Sequence, residues 1–409
     1  MSRDNDVKTL YEAFPYPPPI TDLTPFFEGR EAPVWNPRDS FHVFFPEESF
    51  RDDLDVLIAG CGTTAAVMLA ATSPNCRFTA VDISESSIRQ SRETAENHGL
   101  KNVEHHLLPL EEVGTLGKDF DLIHCHGVLH HLADPVAGLR ALGGVLRKEG
   151  SMSLMVYAPH GRQGIYMLQD FCSRVGLPLN EMTATKLQEL LQGLPENHPF
   201  YLSGHAGDRP IPLPEVIDML MHPRDVAYGV DGVLELITAA NMKFHRWLGQ
   251  AQYGLEGSAL SRLAVGIDVA GLDPAGKAAA MELFIGTLKK HSFVVTHPER
   301  QSARELFSGD GILDAKVTQA AHVGYEEQED SLVLFSRAHD ALHREVLAVS
   351  VDPARVPALV REFDDGRTVR EVVEESVEKF ADPQLAGWIL STCRSLYSAD
   401  IFDFRLGSK

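Results

Sequence analysis

The stretch Asp55–Thr63, DVLIAGCGT, decides how this chain is read. Val56, Leu57 and Ile58 make a short apolar run of the kind that forms a strand buried on both faces. Gly60 and Gly62 follow where the chain has to turn tightly into a helix. Glycine permits positive φ and lets the backbone approach a ligand closely, while the helix that follows offers unpaired N–H groups at its start. Asp82, in AVDIS, stands 22 residues past Gly60. An acid at the end of a second strand, about 20 residues on, suits a carboxylate that holds ribose hydroxyls. The two stretches predict the opening β-α-β unit of a nucleotide-binding sheet.

Working outward, strands are expected near 55–60, 77–82, 103–108, 119–125 and 150–157, alternating with helices as a parallel sheet requires. Ser84 is placed to cap a helix running through Asn97. From Phe120 the run FDLIHCHGVLHHLADPVAGLRALGGVLRKEGSMSLMVYAP reads as strand, loop, amphipathic helix, turn and strand. Later segments supply a sixth strand ending near Leu248 and a last one, His291–Thr296.

With YEAFPYPPP at Tyr11–Pro19 ahead of LIAGCGT and GVLHHLADP downstream, Asp55 to Pro159 resembles the class I S-adenosylmethionine-dependent methyltransferases, in a bacterial branch with an FPYP-type N-terminal segment. That resemblance implies an α/β fold with a Rossmann-like seven-stranded sheet, S-adenosyl-L-methionine as cofactor and transfer of its methyl group to an acceptor. It implies cofactor contacts at Gly60, Cys61, Gly62, Thr63, Asp82, Ile83, Leu110, His126 and Tyr16. The chain departs from the pattern at Ile58, where many relatives have an acid, and at LRKEG, which replaces a Leu-Arg-Pro-Gly-Gly turn. Pro109 falls where many have an aspartate that contacts the adenine amine, leaving the backbone of Leu108–Leu110 for that task. Two other readings stand beside this one. An NAD(P)-dependent dehydrogenase is opposed by Thr64 at the third glycine of the dinucleotide fingerprint, and a non-catalytic cofactor-binding or scaffold protein would keep the same fold.

Methyl transfer from a sulfonium is an in-line displacement, so alignment of the acceptor and exclusion of water are the enzyme's main contributions. Residues at the carboxyl ends of strands four and five face the crevice of such a sheet, which nominates His124, His126, Tyr157 and His160. His126 and Tyr157 are the catalytic candidates: His126 for acid–base work or a cofactor contact, Tyr157 for a hydrogen bond to the acceptor or for packing. His130 and His131 read as structural or cofactor-adjacent residues, and Tyr11 and Tyr16 as side chains that close over the cofactor. His222 and Asp225, in MHPRDVAYG, read as a loop shaping the substrate pocket, with no metal site expected.

The formal charge of −21, from 58 acids against 37 Lys and Arg, disfavours general binding to a phosphate backbone. Five cysteines without C-x-x-C spacing give neither a disulfide framework nor a structural zinc site. The absence of an apolar leader or a membrane-length apolar run points to a cytoplasmic protein. Four regions are expected: a proline- and aromatic-rich arm over 1–50, serving as a strap or a lid; a methyltransferase domain over 51–298 with a helical insertion at about 160–240; a linker over 299–329; and a small α/β or winged-helix-like accessory domain over 330–409. The insertion and the added domain favour a peptide or protein acceptor over a small metabolite.

Overall fold

In the computed structural model the described residues are 3–33, 35–202, 211–254, 271–307, 309–319, 323–328, 331–336, 363, 366–381, 384–398 and 402–406. Seven strands, β1 (Asp55–Ala59), β2 (Arg77–Asp82), β3 (Val103–Leu107), β4 (Phe120–His126), β5 (Leu146–Tyr157), β6 (Lys243–Leu248) and β7 (Lys290–Thr296), form one sheet in the order β3-β2-β1-β4-β5-β7-β6. Pairing is parallel from β3 through β5 and antiparallel between β5 and β7. Val56, Leu57, Ile58 and Ala59 are fully buried, as a strand covered on both faces requires. Strand order reverses between β1 and β4, and in open α/β sheets the crevice at that switch point receives ligands.

β5 begins at Leu146, four residues before the expected start, because LRKEG extends the strand instead of turning. Arg147 anchors the extension: its guanidinium reaches Asp55, which opens β1, at 2.7 Å and Asp121, the second residue of β4, at 2.6 Å, beside the register shift between Phe120 and Leu122.

The insertion is helical, with Gln163–Arg174, Glu181–Gln192 and Leu213–Met221 packed around Ile165, Leu168, Leu187, Val216 and Leu220. The N-terminal helix Arg3–Ala13 packs against it through Leu10, Ala184 and Ile217. Further along the arm, Leu23 and Phe26 bury against Val67, Ala71 and Ala95. The arm is also hydrogen-bonded to the sheet layer. The Glu12 carboxylate accepts from the N–H groups of Glu85 at 2.6 Å and Ser86 at 3.0 Å, at the start of helix Glu85–Asn97, and Ser84 caps the same helix by accepting from Ser87 N–H at 3.1 Å.

Two compact units emerge: Met1–Pro37 with Asp52–Lys243 and Ile285–His297, and Arg38–Arg51 with Phe244–Phe284 and Pro298–Lys409. Within the segment expected as a linker, 299–329, residues between Ala303 and Val317 instead pack in the second unit's core. Phe307, Ile312, Ala315 and Val317 pack there with Val369, Val372, Ile389 and Phe404. Strand Ala315–Gln319 pairs antiparallel with Phe402–Leu406, so its partner lies far along the sequence and leaves no local signal. The end of the expected N-terminal arm joins the same unit: Leu406 N–H donates to Pro46 C=O at 2.7 Å, and Arg300 donates to Phe44 C=O at 2.6 Å and to Glu47. Residues 337–362, within the expected accessory domain, lie outside the described residues. Among the described residues no helix is long and apolar enough to cross a membrane.

Helix Val369–Phe380 opens on a capping box: Thr368 Oγ1 accepts from Glu371 N–H at 3.2 Å and the Glu371 carboxylate accepts from Thr368 N–H at 2.7 Å. Thr368→Ala is expected to lower stability by about 1 kcal/mol, read from the urea midpoint of unfolding.

Candidate active site

A cavity of about 320 Å³ opens at the carboxyl ends of β1, β2, β4 and β5, within the first unit. The turn after β1 forms one wall. Gly60 and Gly62 have φ of +73° and +52°. A Cβ on Gly60 would lie 2.3 Å from Val128 Cγ2, and one on Gly62 would lie 2.7 Å from the Tyr16 carbonyl oxygen, so neither site tolerates a side chain. Gly62 N–H donates to Asp82 Oδ2 at 2.9 Å and Ser84 N–H to Oδ1 at 2.9 Å. These bonds aim the carboxylate at the cavity while leaving each oxygen a further lone pair. Burial raises the Asp82 pKa against the opposing pull of the Ser84, Gly62 and Ile83 N–H groups.

Ile83, Leu110 and Tyr16 line the cavity, as does Leu108. Cys61 lines it too, buried, with its thiol pushed up by burial and by Asp82, so it acts as a small protonated side chain in a tight space. Thr63 does not face the cavity. It is fully buried and its hydroxyl donates to the Pro17 carbonyl, tying the arm to the glycine turn.

His126 reaches the cavity with Nε2 hydrogen-bonded to Ser153 Oγ at 2.9 Å and its ring 3.6 Å from that of His124. Burial, then His124 and Lys290, push its pKa well below the ordinary value, so it is a neutral imidazole. His124 and His160 do not line the cavity. Tyr157 does, with the Arg162 guanidinium 3.5 Å from its ring centre and the His130 ring 4.1 Å away.

Around Tyr157 the fold assembles a cluster that the sequence does not display. His131 lines the cavity, stacks on His222 at 3.8 Å and lies 4.1 Å from His130. Asp225 accepts from Arg162 Nη2 at 3.0 Å and from Gln169 Nε2 at 3.1 Å. Asp218 also lines the cavity and accepts from the Tyr11 hydroxyl at 2.8 Å. Burial lifts its pKa to about 7. Two triplets, His130/His131/Asp225 and His131/Asp218/His222, hold their donor atoms within 4.8 Å of one another. The rings of His131 and His222 are tilted by only 29° in a stack, so their in-plane lone pairs do not converge at the 2.0–2.1 Å of a zinc–nitrogen bond.

Asp218 is the functional candidate that sequence reading misses. It sits in VIDML, where Val216, Ile217, Met219 and Leu220 are all buried with it, and a charge inside so apolar a run is the signal that could have found it.

Comparison with known proteins agrees with this geometry. A family model described as a methyltransferase domain matches residues 50–191. The uncharacterized protein syc1184_c of Synechococcus sp. is 34% identical over 181 residues, which is 40% of this chain and 39% of that protein. The matched region thus spans about two fifths of that relative's length. PKMT2 from Rickettsia typhi, solved in complex with AdoHcy, shares the fold at a TM-score of 0.60 and 16% identity, over 96% of this chain and 77% of its own. A second structure of PKMT2 from Rickettsia typhi gives a TM-score of 0.59 at 16% identity, over 96% of this chain and 78% of its own. Through residues 50–191 this chain carries a methyltransferase domain.

Proposed function

We propose that the chain transfers a methyl group from S-adenosylmethionine to a peptide or protein side chain. The observation that carries the reading is the convergence of Gly62 N–H on Asp82 at the mouth of β1 and β2, in the cavity of a sheet with methyltransferase strand order. Asp82 would hold the ribose hydroxyls, Gly60 and Gly62 would let the backbone approach the methionine part, and Ile83, Leu108 and Leu110 would cover the adenine. When bound, the sulfonium supplies an electrophilic methyl group. His126 is proposed as a neutral contact to the cofactor in preference to a base, since Nε2 is already engaged by Ser153. Tyr157 is held by Arg162 and His130 as a fixed wall for the acceptor. AdoHcy, the ligand of the PKMT2 complex, is the demethylated form of the same cofactor.

A peptide or protein acceptor is supported by the insertion. Met167, Phe171 and Val175 recur every fourth residue along and just past helix Gln163–Arg174 and are 49%, 41% and 51% exposed, an apolar stripe suited to a macromolecular partner. Incubation with methyl-labelled S-adenosylmethionine and fractionated lysate tests this. Label is expected in protein or peptide fractions, and label confined to small molecules would contradict it.

A further inference from the structure

We infer that the acceptor is a cationic amine and that Asp218 takes its proton before the methyl group is transferred, an inference that rests on reading the cavity as a methyl-transfer site. Asp218 is 5% exposed yet lines the cavity, and among the described residues it has no Lys or Arg partner. The neighbouring guanidinium of Arg162 is committed to Asp225 at 3.0 Å and to the face of Tyr157. A buried carboxylate without a cation is costly, and an ammonium group entering the cavity would supply one. Tyr11, Tyr16 and Tyr157 line the same cavity, and aromatic faces attract a desolvated cation.

The peptide of Arg224 sets the neighbouring imidazoles. His131 Nδ1 faces the Arg224 carbonyl at 2.7 Å, so Nδ1 carries the proton and Nε2 keeps its lone pair. His222 Nδ1 accepts from Arg224 N–H at 3.1 Å, which puts its proton on Nε2, a buried atom with no other partner. The donor atoms of His131, His222 and Asp218 lie within 4.8 Å of one another. An ionised Asp218 has the Tyr11 O–H bonded to it, a donor that favours the charged form over a wholly apolar setting.

The step balances without a further reactant. The ammonium N–H bond breaks, the proton passes to an Asp218 oxygen and the electron pair stays on nitrogen. That pair forms the N–C bond to the methyl group while the C–S pair remains on sulfur, so nitrogen regains one positive charge and the sulfonium loses its own. Asp218 then releases its proton to water.

Sign and range follow from the groups facing Asp218. Burial holds His131 at about 4 and His222 at about 2, so both stay neutral above pH 5, and burial raises the hydroxyls of Tyr11, Tyr16 and Tyr157, which stay protonated. Arg162 lowers the Asp218 pKa, while Asp225 and Glu215, the latter one turn earlier on its own helix, raise it. Below about 7 Asp218 is neutral and can neither attract nor deprotonate an ammonium; above it, it can do both.

The test titrates n-butylammonium chloride, with n-butanol as a neutral control, into protein saturated with S-adenosylhomocysteine. Butylammonium is expected to bind more tightly at pH 8 than at pH 6, by up to about tenfold, the change in the ionised fraction of a group titrating at about 7. Asp218→Asn should remove that gain while S-adenosylhomocysteine still binds, and Tyr11→Phe, which takes away the donor to Oδ1, should move the transition to higher pH. Equal butylammonium affinity in wild type and Asp218→Asn, or preference for butanol, would overturn the inference alone. Failure of wild type to bind S-adenosylhomocysteine would overturn the methyl-transfer reading and this inference with it.

Discussion

Asp225→Ala is expected to destabilise the protein by about 3–5 kcal/mol, the usual consequence of leaving a buried charge without its partner. The Arg162 and Asp225 side chains are 6% and 1% exposed and meet at 3.0 Å, so solvent cannot replace the missing carboxylate. What remains to Arg162 is the Tyr166 hydroxyl at 3.2 Å and the ring of Tyr157, neither of which carries a charge. Asp225 also accepts from Gln169, whose other bond is to Met219 C=O, so one residue joins helix Gln163–Arg174 to the loop after Leu213–Met221. Urea unfolding followed by circular dichroism would measure the loss. A change below about 1 kcal/mol, the range of exposed pairs, would show that the pair is not desolvated as its burial indicates.

Asp82→Ala is expected to weaken S-adenosylhomocysteine binding by about 1.5–3 kcal/mol, roughly 10- to 150-fold, since hydrogen bonds to a charged group fall in that range. Two effects add. The ribose hydroxyls lose their acceptor, and Gly62 N–H and Ser84 N–H, which donate to the two carboxylate oxygens at 2.9 Å, lose theirs, so the turn itself loosens. Gly60→Val should remove binding altogether, because a Cβ there falls 2.3 Å from Val128 and the φ of +73° is strained for a branched side chain. Calorimetry on both variants, with circular dichroism to verify folding, checks this pair of expectations. Unchanged affinity in Asp82→Ala would remove Asp82 from the cofactor site.

The features that reveal themselves in the sequence are those whose geometry is local. A β-α-β unit fixes the distance from Gly60 to Asp82, a buried strand shows as the run Val56–Ile58, and a cap shows as Ser84 before an amphipathic helix. What escapes is set by contacts between distant residues. Tyr11 meets Asp218 across 207 positions, and no pattern near either residue announces the other. His222 and Asp225 look isolated in their loop until the fold brings His130, His131 and Arg162 beside them. The second unit escapes for the same reason: Phe41, Phe44 and Phe45 fall inside the bounds expected for the N-terminal arm, while the strand Phe402–Leu406 that bonds to Pro46 lies far along the sequence. Thr63 shows the converse case. Its place in the glycine turn suggests a cofactor contact, but its hydroxyl is bonded to Pro17.

The central claim is that this cavity holds S-adenosylmethionine and not a nicotinamide dinucleotide. Titration calorimetry of the 409-residue chain with S-adenosylhomocysteine and, separately, with NAD⁺ and NADP⁺ tests it most directly. One equivalent of S-adenosylhomocysteine is expected to bind, with neither dinucleotide producing heat above dilution. Saturable binding of a dinucleotide without binding of S-adenosylhomocysteine would contradict the account.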